Sequence, residues 1–159
     1  MPPTPKRYSP SIEDYLKTIL ALTLEGGQAS NQAVAEALDV RPPSVTGMIK
    51  RLADQGLLDH VPYRGVRLTE AGRHEALRIL RRHRILETYL TERLGYHQHD
   101  VHAEAERLEH AASDRLIEAM AEALDDPRLD PHGAPIPSAR GAFDATAAAA
   151  GPERTKVTS

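Results

Sequence analysis

Apolar residues recur along the first third of the chain at the spacing of short amphipathic helices. Ile12, Tyr15, Leu16, Ile19 and Leu20 fall three or four positions apart, a period that gathers side chains on one face of an α-helix. Ser9 with Pro10, or else Ser11, supplies its start signal, and Gly26-Gly27 stops it. Ser30 caps a second helix whose apolar side is Val34, Ala35 and Leu38. After a turn at Asp39-Val40, the run Arg41-Pro42-Pro43-Ser44 opens a third helix, because proline is tolerated in a first helical turn. Val45, Ile49 and Leu52 give that helix its buried stripe, and Gly56 ends it. Two short helices about a tight turn, the second one amphipathic, predict a helix-turn-helix.

The period then changes. Leu57 to Val61 and Val66 to Leu68 flank Pro62-Tyr63-Arg64-Gly65, which reads as two short strands about a turn, a wing. Thr69 caps the next helix within a Leu-Thr-x-x-Gly start. Ala76, Leu77, Leu80, Leu86, Tyr89, Leu90 and Leu94 then carry helix, with room for a break, as far as Gly95. A last helix is expected from about Asp100 to Leu124, with Val101, Ala105, Leu108, Ala112 and Leu116 on its apolar side. From Pro127 to Ser159 the chain holds five Pro, three Gly and eight Ala and almost no large apolar residue, so this tail is expected to be flexible.

Composition narrows the chemistry. A chain of 159 residues leaves no room for a large enzyme core. The lack of cysteine removes disulfide frameworks, thiolate zinc fingers, iron–sulfur clusters and cysteine nucleophiles together. No apolar run reaches the roughly 18 residues that a membrane span needs, and the first residues carry no secretory signal pattern. A cytoplasmic location with no membrane partner is therefore expected. Charge is divided along the chain: residues 41–84 hold ten Lys and Arg against four Asp and Glu, and residues 85–126 hold three against eleven. A basic block suits a polyanion, and a block rich in carboxylate and histidine suits cations.

With Val45, Ile49 and Leu52 turned inward, helical geometry places Ser44, Thr46, Gly47, Lys50 and Arg51 on the outer face. Such a helix can enter a major groove, its first turn meeting base edges and its later cations meeting phosphates. Arg41 at its start, Arg64 at the wing tip, and Asn31 and Gln32 at the N-terminus of the second helix complete the candidate DNA contacts. Any one of these residues read alone is an ordinary solvated side chain, whereas helix, turn, helix and wing together point to double-stranded DNA. Gly47 contributes no side chain to that face, so direct readout there is sparse.

In the acidic block His102, Glu106, Glu109 and His110 are spaced i, i+4, i+7 and i+8, an arc of about 100° on one helix face. Carboxylate oxygen with imidazole nitrogen suits Mn(II), Fe(II), Co(II) or Zn(II). His83 and Glu87 repeat the i, i+4 spacing on the preceding helix, and the first helix offers Asp14. Each piece also has a plain explanation: an i, i+4 pair is usually a solvated pair, and Asp14 is a first-turn carboxylate that the helix dipole favours. His97-Gln98-His99 reads as a loop. A metal site requires separate helices to converge.

Taken in order, Ile12-Glu13-Asp14-Tyr15-Leu16, the helix-turn-helix, Tyr63-Arg64-Gly65, Arg82-His83-Arg84 and Val101-His102-x-Glu104-Ala105-Glu106-x-x-Glu109-His110 are specific. The chain resembles the diphtheria toxin repressor and manganese transport regulator family of metal-activated bacterial transcription repressors, from about Tyr8 to Leu124. The likeness continues weakly into Pro131-His132-Gly133-x-Pro135-Ile136-Pro137. The resemblance implies that Asp14, Glu106, Glu109 and His110 hold the principal ion and that His83, Glu87 and His102 serve a second. Iron-responsive members place Met and Cys where this chain has Asp14 and Glu106, so manganese is favoured and Fe(II) is the alternative. Members with a closely coupled ion pair have Glu where this chain has Lys17, which favours one ion or two separated ones. Longer members carry a C-terminal Src-homology-3-like domain, and a short form without it is expected here.

The expected fold is therefore mainly α: an N-terminal winged helix-turn-helix DNA-binding domain over residues 1–72, a helical dimerisation and metal-binding domain over 73–126, and a tail over 127–159. Leu86, Tyr89, Leu90 and Leu94 are assigned to core and to a two-fold interface, giving a homodimer on a palindromic operator. A regulator without catalytic residues or a small-molecule substrate is expected. Two other readings stand beside it: a winged-helix regulator of the multiple-antibiotic-resistance type that answers a small aromatic ligand, and a small metallohydrolase.

Overall fold

The computed structural model describes residues 8–143. The order of elements is α1 (Pro10–Leu22), α2 (Asn31–Leu38), α3 (Pro42–Asp54), β1 (Leu58–Val61), β2 (Gly65–Leu68), α4 (Glu70–Leu94), α5 (Gln98–Glu109) and α6 (Asp114–Ala123). The chain divides into two compact units between Leu80 and Arg81, within α4. Helix α4 runs unbroken through 25 residues.

In the first unit the caps fall where the sequence places them. Ser9 accepts from the Ile12 N–H at 3.3 Å, with Pro10 in the first turn, and Ser30 accepts from the Ala33 N–H at 3.0 Å. Each removes one of the unpaired donors at a helix start. Asp39 ends α2 in the left-handed conformation, φ 53°, which makes the tight turn into α3. The inward positions Ile12, Leu16, Ile19, Leu20, Val34, Val45, Ile49, Leu52, Leu57 and Val66 are all buried. Strands β1 and β2 pair antiparallel, Leu58 opposite Leu68 and Val61 opposite Gly65. Ala29 adds a bridge to Val66, with two N–H to O contacts of 2.8 Å. Gly65 makes that approach possible: at φ +118° it lies so near this segment that a Cβ would stand 2.2 Å from the Ala29 carbonyl oxygen.

The second unit corrects two expectations. The single helix from Asp100 to Leu124 is two helices. Helix α5 ends at Glu109, and Ser113 caps α6 by accepting from the Leu116 N–H at 3.1 Å. The series Val101, Ala105, Leu108, Ala112 and Leu116 ran straight through this break. Leu108 and Leu116 are in fact exposed, and the buried face is Val101, Ala105 and Glu109, then Ile117 and Ala121. The flexible tail is also corrected as far as the described residues reach. Leu129 bridges Pro135, the Ile136 N–H donates to Arg128 O at 2.8 Å, and Ile136 joins a core of Ile85, Leu86, Ala105, Ala112, Ile117 and Ala121. Arg81 clamps the Glu118 carboxylate with two bonds of 3.0 and 2.9 Å and donates to Pro137 O, while Arg84 donates to Pro135 O. One apolar side chain and two arginines thus hold a segment whose composition reads as tail. Residues 144–159 of the expected tail lie outside the described residues.

Candidate functional site

On the first unit, Arg41, Ser44, Thr46, Gly47, Lys50, Arg51 and Arg64 are all exposed, as are Gln32 and, in part, Asn31. Two of the expected DNA contacts are tied within their own helices: Thr46 Oγ1 donates to Pro42 O at 3.2 Å, and Gln32 Nε2 donates to Glu36 Oε1 at 3.1 Å. Beside Arg64 at the wing tip, Tyr63 is fully exposed with a positive φ of 64°.

The second unit holds a line of alternating carboxylates and imidazoles. His83, in the middle of α4, places Nδ1 2.7 Å from Glu109 Oε2 on α5 and Nε2 2.5 Å from Glu87 Oε1 one turn along. His102 of α5 reaches the same Glu87 oxygen with Nδ1 at 2.9 Å, and its Nε2 lies 3.2 Å from Glu106. His83, Glu87 and Glu109 are buried; His102 and Glu106 are open to solvent. Arg82, also buried, donates to Glu109 O at 3.3 Å and to Asp114 at 2.5 Å, fixing the break between α5 and α6 beside the ligand candidates.

His83, Glu87 and His102 each offer a ligand atom within 4.8 Å of the others. Two imidazole nitrogens and a carboxylate oxygen, held on two packed helices, are a donor set that fits a first-row divalent ion. Glu106 stands with His102, and among the described residues it joins no such group of three. Glu109 and His110 lie at the end of α5, His110 in the capping position.

Two candidates escaped the sequence reading. Asp130 and His132 form a group with Glu87 within the same 4.8 Å limit. Glu87 Oε1 faces His83 and His102, and its Oε2 lies 3.4 Å from His132 Nδ1. The turn that carries His132 is preorganised, since Asp130 Oδ1 accepts from the His132 and Ala134 N–H groups at 2.8 and 2.9 Å. Its signal lies in Asp130-Pro131-His132-Gly133, a turn-forming stretch with two ligand types set in a segment whose composition reads as tail.

Burial opposes the charge on Glu87, but the hydrogen bonds and charges of His83 and His102 outweigh it and hold the carboxyl at about 2, below the ordinary 4.5. A carboxylate depressed in the fold contributes stability that is complete above the unfolded value and is lost as pH falls through the folded one. The metal-free chain is accordingly expected to lose stability between pH 4.5 and about 2, and Glu87→Gln to lose less over that window. Urea midpoints across the pH series check this; parallel slopes for the two chains would remove Glu87 from the acid response.

The family described as iron dependent repressor, N-terminal DNA binding domain, matches residues 7–66, and the iron dependent repressor metal binding and dimerisation domain matches residues 69–138. The diphtheria toxin repressor of Corynebacterium glutamicum is 38% identical over 127 residues, covering 80% of this chain and 56% of that protein. The transcriptional regulator MntR of Oceanobacillus iheyensis is 37% identical over 117 residues, covering 74% of this chain and 79% of that protein. A solved manganese-dependent transcriptional repressor in complex with manganese superposes with a TM-score of 0.76 at 45% identity, over 84% of this chain and 61% of that one. The chain thus spans just over half the length of the diphtheria toxin repressor it matches. No helix among the described residues is long and apolar enough to cross a membrane. Two of these relatives are described as repressors and the third as a transcriptional regulator, and both family matches are to repressor domains, so the metallohydrolase and the regulator of the multiple-antibiotic-resistance type are set aside. Matched along both halves, a winged helix-turn-helix followed by a helical domain rich in carboxylates and imidazoles, the chain belongs to the iron-dependent repressor family of metal-dependent, DNA-binding regulators.

Proposed function

We propose that this chain is a metal-activated transcriptional repressor that answers Mn(II), binds a palindromic operator as a homodimer and controls metal homeostasis genes. The observation that carries the reading is the partly buried convergence of His83, Glu87 and His102 from two helices in a chain that also bears a helix-turn-helix with exposed cations on α3. Manganese is favoured over iron because Asp14 and Glu106 are oxygen donors where iron-responsive members have sulfur.

In this reading Asp14, Glu106, Glu109 and His110 hold one ion, and His83, Glu87 and His102, helped by Asp130 and His132, hold a second, separate one. Lys17 cannot ligate, which argues against a closely coupled pair. A bound cation supplies positive charge that neutralises these carboxylates and a set of bonds that joins their helices. Without it, Glu87, Glu106, Glu109 and Asp14 repel one another. Asp14 belongs to the first unit and Glu106, Glu109 and His110 to the second; ligation by all four fixes the angle between the DNA-reading and dimerising parts. Exposed Leu94, Leu108 and Leu116 offer apolar surface for the two-fold contact, and the dimer presents two α3 helices to half-sites about 34 Å apart.

Operator binding followed by fluorescence anisotropy, with and without Mn(II), tests this. A gain of about 5- to 150-fold is expected, the range of a coupling of 1 to 3 kcal/mol, and Asp14→Ala is expected to abolish the gain. Equal affinities with and without the ion would remove metal from the mechanism, and a larger gain with Fe(II) would make iron the effector.

A further inference from the structure

Gly47 sits in the middle of α3, on the face turned away from Val45, Ile49 and Leu52, and is exposed. Nothing in the fold requires glycine there. Its φ is not among the positive ones, and a Cβ added to it meets no atom of the described residues within 4 Å. Glycine inside a helix is less stable than alanine, because it has more backbone freedom to lose on folding. Here the chain forgoes that stability without a packing reason, which suggests that the space outside the helix is being kept clear.

The surroundings say for what. The neighbours of Gly47 on the helix surface, three or four positions away, are Pro43, Ser44, Lys50 and Arg51. Pro42 and Pro43 carry no N–H, the Ser44 N–H donates to Arg41 O at 3.0 Å, and the Thr46 hydroxyl is turned back to Pro42 O. The outward surface from Pro42 to Gly47 is therefore low, with the exposed Ser44 hydroxyl as its outward donor, and two cations stand one turn further on. Such a surface suits close seating against a groove, with the cations left to reach phosphates. Resting on the reading of α3 as the DNA-reading helix, we infer that Gly47 is the point at which its backbone seats against base-pair edges in the major groove. Selection at this point works by shape, through exclusion of anything that adds volume, and not by a hydrogen bond.

The test uses the duplex that the wild-type chain with Mn(II) enriches from a random-sequence library, and a scrambled duplex of the same length. Gly47→Ala is expected to raise the thermal midpoint and to lower affinity for the enriched duplex by about tenfold, the scale of one mismatched base pair. Its affinity for the scrambled duplex is expected to fall by much less, since Lys50 and Arg51 still meet phosphates. A Gly47→Ala chain that binds the enriched duplex as tightly as wild type overturns this inference alone. A wild-type chain that enriches no duplex overturns it together with the reading on which it rests.

Discussion

Glu109→Gln is expected to yield a folded chain whose hold on operator DNA no longer responds to Mn(II). Glu109 is the most deeply buried carboxylate of the second unit, with its side chain at 0% exposure, and it lies 2.7 Å from His83 Nδ1. A carboxylate buried to that degree is costly unless charge and hydrogen bonds compensate it. It also occupies a place on α5, one turn after Ala105, where packing alone favours an apolar side chain. The amide keeps the volume and a hydrogen bond to His83 but gives up the charge that a divalent ion requires. The whole metal-dependent gain, about 5- to 150-fold, should vanish. Glu104→Gln, altering a carboxylate on the same helix that is paired with Arg107 at 2.6 Å, should keep it. Anisotropy with operator DNA and calorimetric titration with Mn(II) read the two effects separately. If Glu109→Gln retained full activation, the principal ion would have to be held without this carboxylate.

The first unit was legible in the sequence because each of its elements announces itself locally. Ser9 and Ser30 cap what they precede, Asp39 turns the chain between two helices, and the period shifts from helix to strand at Leu57. The second unit was less legible because its features depend on packing between helices. Val101, Ala105, Leu108, Ala112 and Leu116 keep one helical period across residues 110–113, and against that regularity the cap at Ser113 was a faint signal. Within α5 the period itself turns Glu109 inward with Val101 and Ala105 and stands Glu106 beside His102. That His83 and Glu87 form one set was readable from i, i+4 spacing; that His102 meets them was not, since it depends on how α5 folds back. Asp130 and His132 were hidden by composition. Ile136, Arg81 and Arg84 pin their segment, and two of those three anchors lie some fifty residues away in sequence.

Gly72→Ala is expected to destabilise the DNA-reading unit strongly, although the same substitution at Gly47 is expected to stabilise it. Both glycines lie in helices and neither has a positive φ. They differ in what stands next to them. A Cβ on Gly72 would meet Leu57 O at 2.0 Å and Leu57 C at 2.9 Å, both backbone atoms in the link between α3 and β1. Thr69 ties the same link: its N–H donates to Leu57 O at 3.1 Å, its hydroxyl donates to Gly56 O at 2.7 Å, and that hydroxyl accepts from the Gly72 N–H at 3.0 Å. The Leu-Thr-x-x-Gly start is thus a clamp that seats α4 on the turn before the wing, with Leu57 itself buried beneath. A methyl at Gly72 has to lift the helix off this clamp or push Leu57 out of the core. Overpacking against backbone costs about 3 kcal/mol or more, a large part of the roughly 5 to 15 kcal/mol that holds a domain together. Thr69→Val, which removes only the hydroxyl, should cost about 1 to 2 kcal/mol. Urea denaturation followed by circular dichroism measures both, and because β1 hangs from Leu57, operator affinity should fall with Gly72→Ala as well. A Gly72→Ala chain with the wild-type midpoint would mean that α4 does not rest on the Leu57 carbonyl, and the clamp would have to be abandoned.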